Sequence, residues 1–123
     1  MSNAKTEFIS QLQALGYTAR ELAHDFVAFD YEITVGRFIG QKVELAFQLN
    51  VPFPMNAPGG PHFKPLLLPK TGGGGQHPFG AIHDSAIGPE WEYWSRPFAR
   101  WNETDKTVKT YMSHIRHLLH TIP

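Results

Sequence analysis

The side chains in this sequence best equipped for chemistry are histidines with carboxylates close by. His77, His83 and Asp84 lie in the run Gly72-Gly73-Gly74-Gly75-Gln76-His77-Pro78-Phe79-Gly80-Ala81-Ile82-His83-Asp84-Ser85. Two imidazoles and a carboxylate offer nitrogen and oxygen ligands, and three protein ligands with one open position form the catalytic zinc pattern. The same groups suit acid and base roles, because an imidazole titrates near neutrality. The spacing gives zinc no support: no pair here has the His-x-x-x-His interval that sets two ligands on one helix face. No cofactor is therefore expected, and His77, His83 and Asp84 are the candidate ligands should zinc bind. Ser85, next to Asp84 and His83, invites a Ser-His-Asp reading, but sequence neighbours rarely reach the mutual geometry of nucleophile, base and orienter. Four consecutive glycines suggest a phosphate cradle. No Lys-Ser or Lys-Thr pair comes after them and no helix starts there, so the run reads as a flexible loop.

Three further histidines, His114, His117 and His120, recur at intervals of three near the C-terminus. On a helix they fan out rather than converge, with His117 and His120 toward solvent and His114 at the edge of the apolar stripe. Such residues suit the C-terminal end of a helix dipole. Trp91, Tyr93, Trp94, Phe98 and Trp101 concentrate aromatic surface between Pro89 and Trp101. Rings of this size normally fill a core, and Trp91 and Trp94 are the candidates if the cluster instead borders a binding surface.

The chain has 123 residues and no cysteine, with 11 Lys plus Arg against 11 Asp plus Glu. A single domain spanning residues 1–123 is expected from that length. The missing thiol excludes disulfides, thiolate metal sites and any cysteine nucleophile, and fits a reducing compartment. Balanced charge argues against a nucleic-acid surface and against a polybasic membrane patch. Met1 to Lys5 lacks the basic and apolar regions of a secretory signal and no apolar run reaches the length of a membrane span, so a cytoplasmic protein is expected.

The elements that must position these groups can be read from periodicity. Phe8, Ile9, Leu12 and Leu15 share one helix face and Gly16 stands where a C-terminal cap belongs, predicting a helix from about Lys5 to Leu15. From Phe26 to Leu49 the period becomes two: Val27, Phe29 and Tyr31 alternate with Phe26, Ala28 and Asp30, and Val43, Leu45, Phe47 and Leu49 with Glu44, Ala46 and Gln48. These are strands of an antiparallel meander, with Gly36 and Gly40 in the turn and Tyr17 to Leu22 as a further strand. Of 11 Gly and 10 Pro, eight Gly and nine Pro fall between Pro52 and Pro97, which predicts a long shaped loop. Val108, Tyr111, Ile115, Leu118, Leu119 and Ile122 mark an amphipathic closing helix, with Asn102 and Asp105 as its capping box. The fold class is α+β, helices against one face of an antiparallel sheet.

The order of landmarks resembles a known family. After the meander come Pro52-Phe53-Pro54 with Pro58 and Pro61, then His77-Pro78, Ile82-His83-Asp84, Trp94-Ser95-Arg96-Pro97 and a helix. This resembles the ubiquitin-conjugating-enzyme (UBC) superfamily, whose pattern runs Tyr-Pro-Phe with a Pro-Pro pair, His-Pro-Asn, Ile-Cys-Leu and Trp-Ser-Pro. It looks closest to the bacterial UBC-like families associated with ubiquitin-like proteins, activating enzymes and JAB-type peptidases. The resemblance implies a UBC-like fold: N-terminal helix, β-meander, active-site-type loop and C-terminal helix. It places Phe79 where the family's oxyanion-stabilising asparagine stands and His83 where its thioester-forming cysteine stands. Phe79 offers no donor to an oxyanion, and an acyl-imidazole at His83 would hydrolyse too readily to carry a modifier. The resemblance thus implies a UBC-like domain without transfer activity that binds a ubiquitin-like modifier or its activating enzyme. The rival expectation is an enzyme that uses His83, with His77 and Asp84, in acid–base or zinc chemistry.

Overall fold

The structure is a computed structural model that describes residues 3–68, 82–95 and 98–121. The first element is helix α1, Asn3–Ala14. Phe8 and Leu12 are completely buried along one side of it. Gly16 ends the helix at φ +97°, with its N–H donating to Gln13 O at 3.0 Å and the Tyr17 N–H to Leu12 O at 3.0 Å. This reciprocal pair needs a residue at positive φ, which glycine supplies without a Cβ penalty.

Six strands come next in the chain: β1 (Ala19–Leu22), β2 (Phe26–Glu32), β3 (Lys42–Gln48), β4 (His62–Lys64), β5 (Ile82–Ser85) and β6 (Gly88–Trp94). They form one sheet in the order β1-β2-β3-β4-β6-β5, every pair antiparallel. The expected meander is present, and so is the additional strand before it.

The Pro52–Pro97 segment differs from the long loop its composition predicts. Strands β4, β5 and β6 lie inside it, and position 83 is in a strand. Prolines 61, 65 and 89 stand just outside or near the start of strands, where the ring removes no interior ladder bond. The alternation of Trp91 and Tyr93 with Glu92 and Trp94 is what lets β6 bridge β4 and β5. The glycine run 72–75 lies outside the described residues.

Because side chains alternate across a strand, the sheet has two distinct faces. Val27, Phe29, Leu45, Phe47, Phe63 and Trp94 project to one, and together with buried side chains of both helices they make the main core. The rings meet edge to face, as for Phe8–Phe47 (5.6 Å) and Phe47–Tyr111 (5.1 Å). The opposite face carries a smaller apolar cluster of Phe26, Ala28, Ala46 and Trp91. Both helices therefore pack on one face, as the periodicity predicts.

Helix α2, Val108–Thr121, buries Val108, Tyr111, Met112, Ile115 and Leu119. Its cap is not the expected Asn102–Asp105 pair. Trp101–Glu103 forms a 3-10 turn, held by the Trp101 indole N–H on Pro54 O at 2.9 Å, and Lys106 has φ +58°. That left-handed residue interrupts the helical path, so α2 starts later and Thr107 caps it, its Oγ1 accepting the Thr110 N–H at 3.2 Å. The Gln11 side chain of α1 reaches across to accept the Val108 N–H at 2.7 Å. His114 stacks on Phe98 at 4.4 Å, while His117 and His120 are exposed, the distribution the spacing predicts.

Candidate functional site

The strand registers align one row of residues across the second face. Ala28 faces Ala46, Ala46 faces His62, His62 faces Tyr93 and Tyr93 faces His83. Two alanines at one end leave space for the Trp91 ring, and the other end of the row is aromatic. The His62 imidazole stacks on Tyr93 at 4.6 Å and meets the edge of Phe26 at 4.8 Å. His83 tilts against Tyr93 at 6.2 Å.

His62 is 6% exposed, and burial pushes its imidazole down to about 4, since taking the cation out of water is costly. It is therefore neutral at physiological pH. Its Nδ1 lies 2.8 Å from Ser85 Oγ. A β-bulge at Asp84/Ser85 breaks the regular alternation at the end of β5, and the Ser85 hydroxyl also accepts the Ile87 N–H at 3.1 Å. Bulges re-aim side chains, and this one directs Ser85 to a histidine on a strand two places away.

Beside the row lies a pocket of about 270 Å³ whose walls include Phe26, His62, Tyr93, Asp84, Gln48 and Asn50. A larger hollow of about 510 Å³ lies elsewhere on the sheet, where Asp30, Glu32 and Glu44 alternate with Lys42 and Lys64. Its charges are the solvated kind: Arg20 pairs with Glu44 at 3.2 Å and Lys64 with Glu90 at 3.2 Å. The smaller pocket is the one with the buried residue His62 on its wall, beside Asp84, Gln48 and Asn50.

On the helix-covered face, Glu92 has no exposed surface. Its carboxylate accepts N–H groups from Leu67 at 2.8 Å and Leu68 at 3.1 Å and from the Trp94 indole at 3.1 Å. These donors converge on one buried acid, which clamps the segment after β4 to β6.

Among the described residues, those singled out in the sequence do not gather at one point. His83 is half-buried on β5, and Asp84 beside it is exposed and lines the pocket with His62. Trp94 is completely buried in the main core and Trp91 is 5% exposed in the smaller cluster on the other face, so neither indole presents an open ring. His77 and Phe79 lie outside the described residues. Among the described residues, no three His, Asp or Glu side chains gather closely enough to hold a metal ion. The sequence reading missed His62, Glu92 and the His62–Ser85 pairing. Ser85 does bond a histidine, but the partner is 23 residues upstream and not its neighbour His83.

No protein-family model, no curated protein and no solved structure matches the chain. Among the described residues, no helix is long and apolar enough to cross a membrane.

Proposed function

We propose that this chain is a UBC-like domain that has lost thioester transfer and works by binding a ubiquitin-like modifier or the activating enzyme of such a pathway, in the cytoplasm. The observation that carries the reading is the succession of α1 and four antiparallel strands paired in chain order, β1 to β4. That is the helix-then-meander arrangement expected from the landmark motifs. Position 83 comes after it on β5, with imidazole in place of thiol and no cysteine elsewhere in the chain. Imidazole there forms only a hydrolysable acyl adduct, so binding is the activity that survives the exchange. Strand β5 is terminal in the sheet, and a terminal strand can take a partner's strand through main-chain hydrogen bonds.

The test is calorimetric titration with purified ubiquitin-like proteins and activating enzymes encoded beside this gene. Saturable binding is expected, changed less than about threefold by His83→Ala, with no covalent adduct in the presence of ATP. Absence of binding to every such protein, or an adduct on His83, overturns the reading.

A further inference from the structure

The Ser85 hydroxyl has one proton to give. Its oxygen already accepts the Ile87 N–H, and its remaining bond is the one to His62 Nδ1. If Nδ1 carried the imidazole proton, Ser85 would receive two donors and its own hydrogen would have no acceptor among the described residues, which is costly for a side chain this buried. Both groups are satisfied when Ser85 donates to Nδ1, and a neutral ring then carries its single proton on Nε2. Nε2 has no hydrogen-bond partner among the described residues, and it is not sealed in, since Tyr31 Oη is the one described side-chain atom both enclosed and unpartnered.

Tyr93 sets a second donor beside the first. The Trp94 N–H donates to Pro61 O at 2.9 Å, so Trp94 turns its main chain toward β4 and Tyr93 turns its own toward β5. His62 and Tyr93 are therefore a non-hydrogen-bonded pair, the kind in which side chains come closest, and their rings stack at 4.6 Å. The Tyr93 hydroxyl has no partner among the described residues, and it is not enclosed either. It stands beside Gly59, where an added methyl group would lie 4.0 Å from Tyr93 Oη. His62, Tyr93 and Gly59 all line the pocket of about 270 Å³, with Phe26 as an apolar wall. Two unpartnered donors thus belong to one stack of rings at one pocket.

Two donors call for an acceptor oxygen with two lone pairs, and the oxygens of carbonyls and carboxylates have them. A carboxylate would bring its charge to a wall that holds no Lys or Arg, and an anion taken from water without a countercharge is costly. An alcohol brings a hydrogen that needs an acceptor of its own, which His62 Nε2–H does not supply. We propose that this pocket binds an uncharged carbonyl group, its oxygen accepting from His62 Nε2–H and from the Tyr93 hydroxyl, and its apolar part against Phe26. At about 270 Å³ the cavity falls just below the roughly 300–1,000 Å³ of pockets for drug-sized molecules, which suits a group of a few heavy atoms. The carbonyl belongs either to a bound polypeptide or to a free small compound. The site does not use position 83 and does not depend on the modifier-binding reading.

The experiment uses the full wild-type chain, labelled with 15N, at neutral pH. A proton on Nε2 and none on Nδ1 is expected for His62, and a proton on Nδ1 overturns the proposal. Butanone, 2-butanol and propionate, closely alike in shape, are then titrated while the His62 and Tyr93 ring signals are followed. Butanone is expected to give a saturable shift, with the alcohol and the anion each at least about fivefold weaker, the value of roughly one hydrogen bond. An equal response to all three, a preference for the alcohol or the anion, or no response overturns it. Tyr93→Phe removes a hydroxyl that holds nothing in the fold and should weaken butanone about fivefold; unchanged affinity in the folded variant also counts against the site. An alanine capped as an amide at both ends that binds more tightly than butanone points to a polypeptide source, and the reverse order to a free carbonyl compound; both orders keep the carbonyl assignment.

Discussion

The two faces of the sheet are made by the same strands and are packed differently. On the helix-covered face, Phe29, Phe47, Phe63 and Trp94 close against Phe8 and Tyr111, and the buried carboxylate there, Glu92, accepts from Leu67, Leu68 and the Trp94 indole. Among the described residues, the apolar cluster of the opposite face buries Phe26, Ala28, Ala46 and Trp91, beside His62, which is stacked on Tyr93 and hydrogen-bonded to Ser85. Burial of large rings supplies stability on the first face. On the second, Ala28 and Ala46 form a low floor that admits polar groups with directed hydrogen bonds. The same strands thus carry large-ring packing on one face and a buried histidine–serine pair on the other, through residue parity together with the bulge at Ser85.

Truncating one tryptophan on each face tests that separation most severely. Trp94→Ala should cost about 3–5 kcal/mol in a urea melt, because it opens a closed cavity and removes one donor from Glu92. Trp91→Ala should cost clearly less, since its site borders solvent and can refill. Equal losses would show that the second face is as much a core as the first.

Acid should act through the second face. Burial holds the His62 imidazole at about 4, below the 6.5 of a free histidine. Between these values the unfolded chain takes up a proton that the folded chain refuses, so the contribution is complete above pH 6.5 and fades as the pH falls toward 4. The loss is about 3 kcal/mol from this group, at about 1.36 kcal/mol per pKa unit. Urea midpoints at pH 7, 5.5 and 4 should show the decline, and His62→Phe should flatten it. A decline that persists in full without the imidazole would move the acid-sensitive group elsewhere.

The smallest expected effect lies off both faces. Thr107→Ala removes the α2 cap and should cost about 1 kcal/mol. The ring signals of His62 and Tyr93 should stay in place; if they move, the two faces are coupled through the helix layer.

What could be read from the sequence was what short stretches of chain decide for themselves. Phe8, Leu12 and Gly16 define α1 and its end with contacts no more than a few residues long, and strict alternation gives β2 and β3. The failures are all long-range. Asn102 and Asp105 have the spacing of a capping box, but Trp101 is tied to Pro54, 47 residues away, and the chain enters the helix from Thr107 instead. Strand β4 has only three residues and exists because β3 and β6 flank it, which no local pattern reveals through so much Pro and Gly. His62 and Ser85 meet only when β4, β6 and β5 take their registers. His62 carries no signal in its own neighbourhood, and the local signal at Ser85 points to its neighbour His83 rather than to His62. Glu92, read alone, is an ordinary charged strand residue.

The Gln11 side chain, by accepting the Val108 N–H 97 residues later in the chain, makes the beginning and the end of the molecule open and close together. The solvent-exchange rate of that single amide proton is consequently a gauge of the N-terminal helix. Fraying of the first turns, or their capture by another protein, would be read out as lost protection at the start of the last helix.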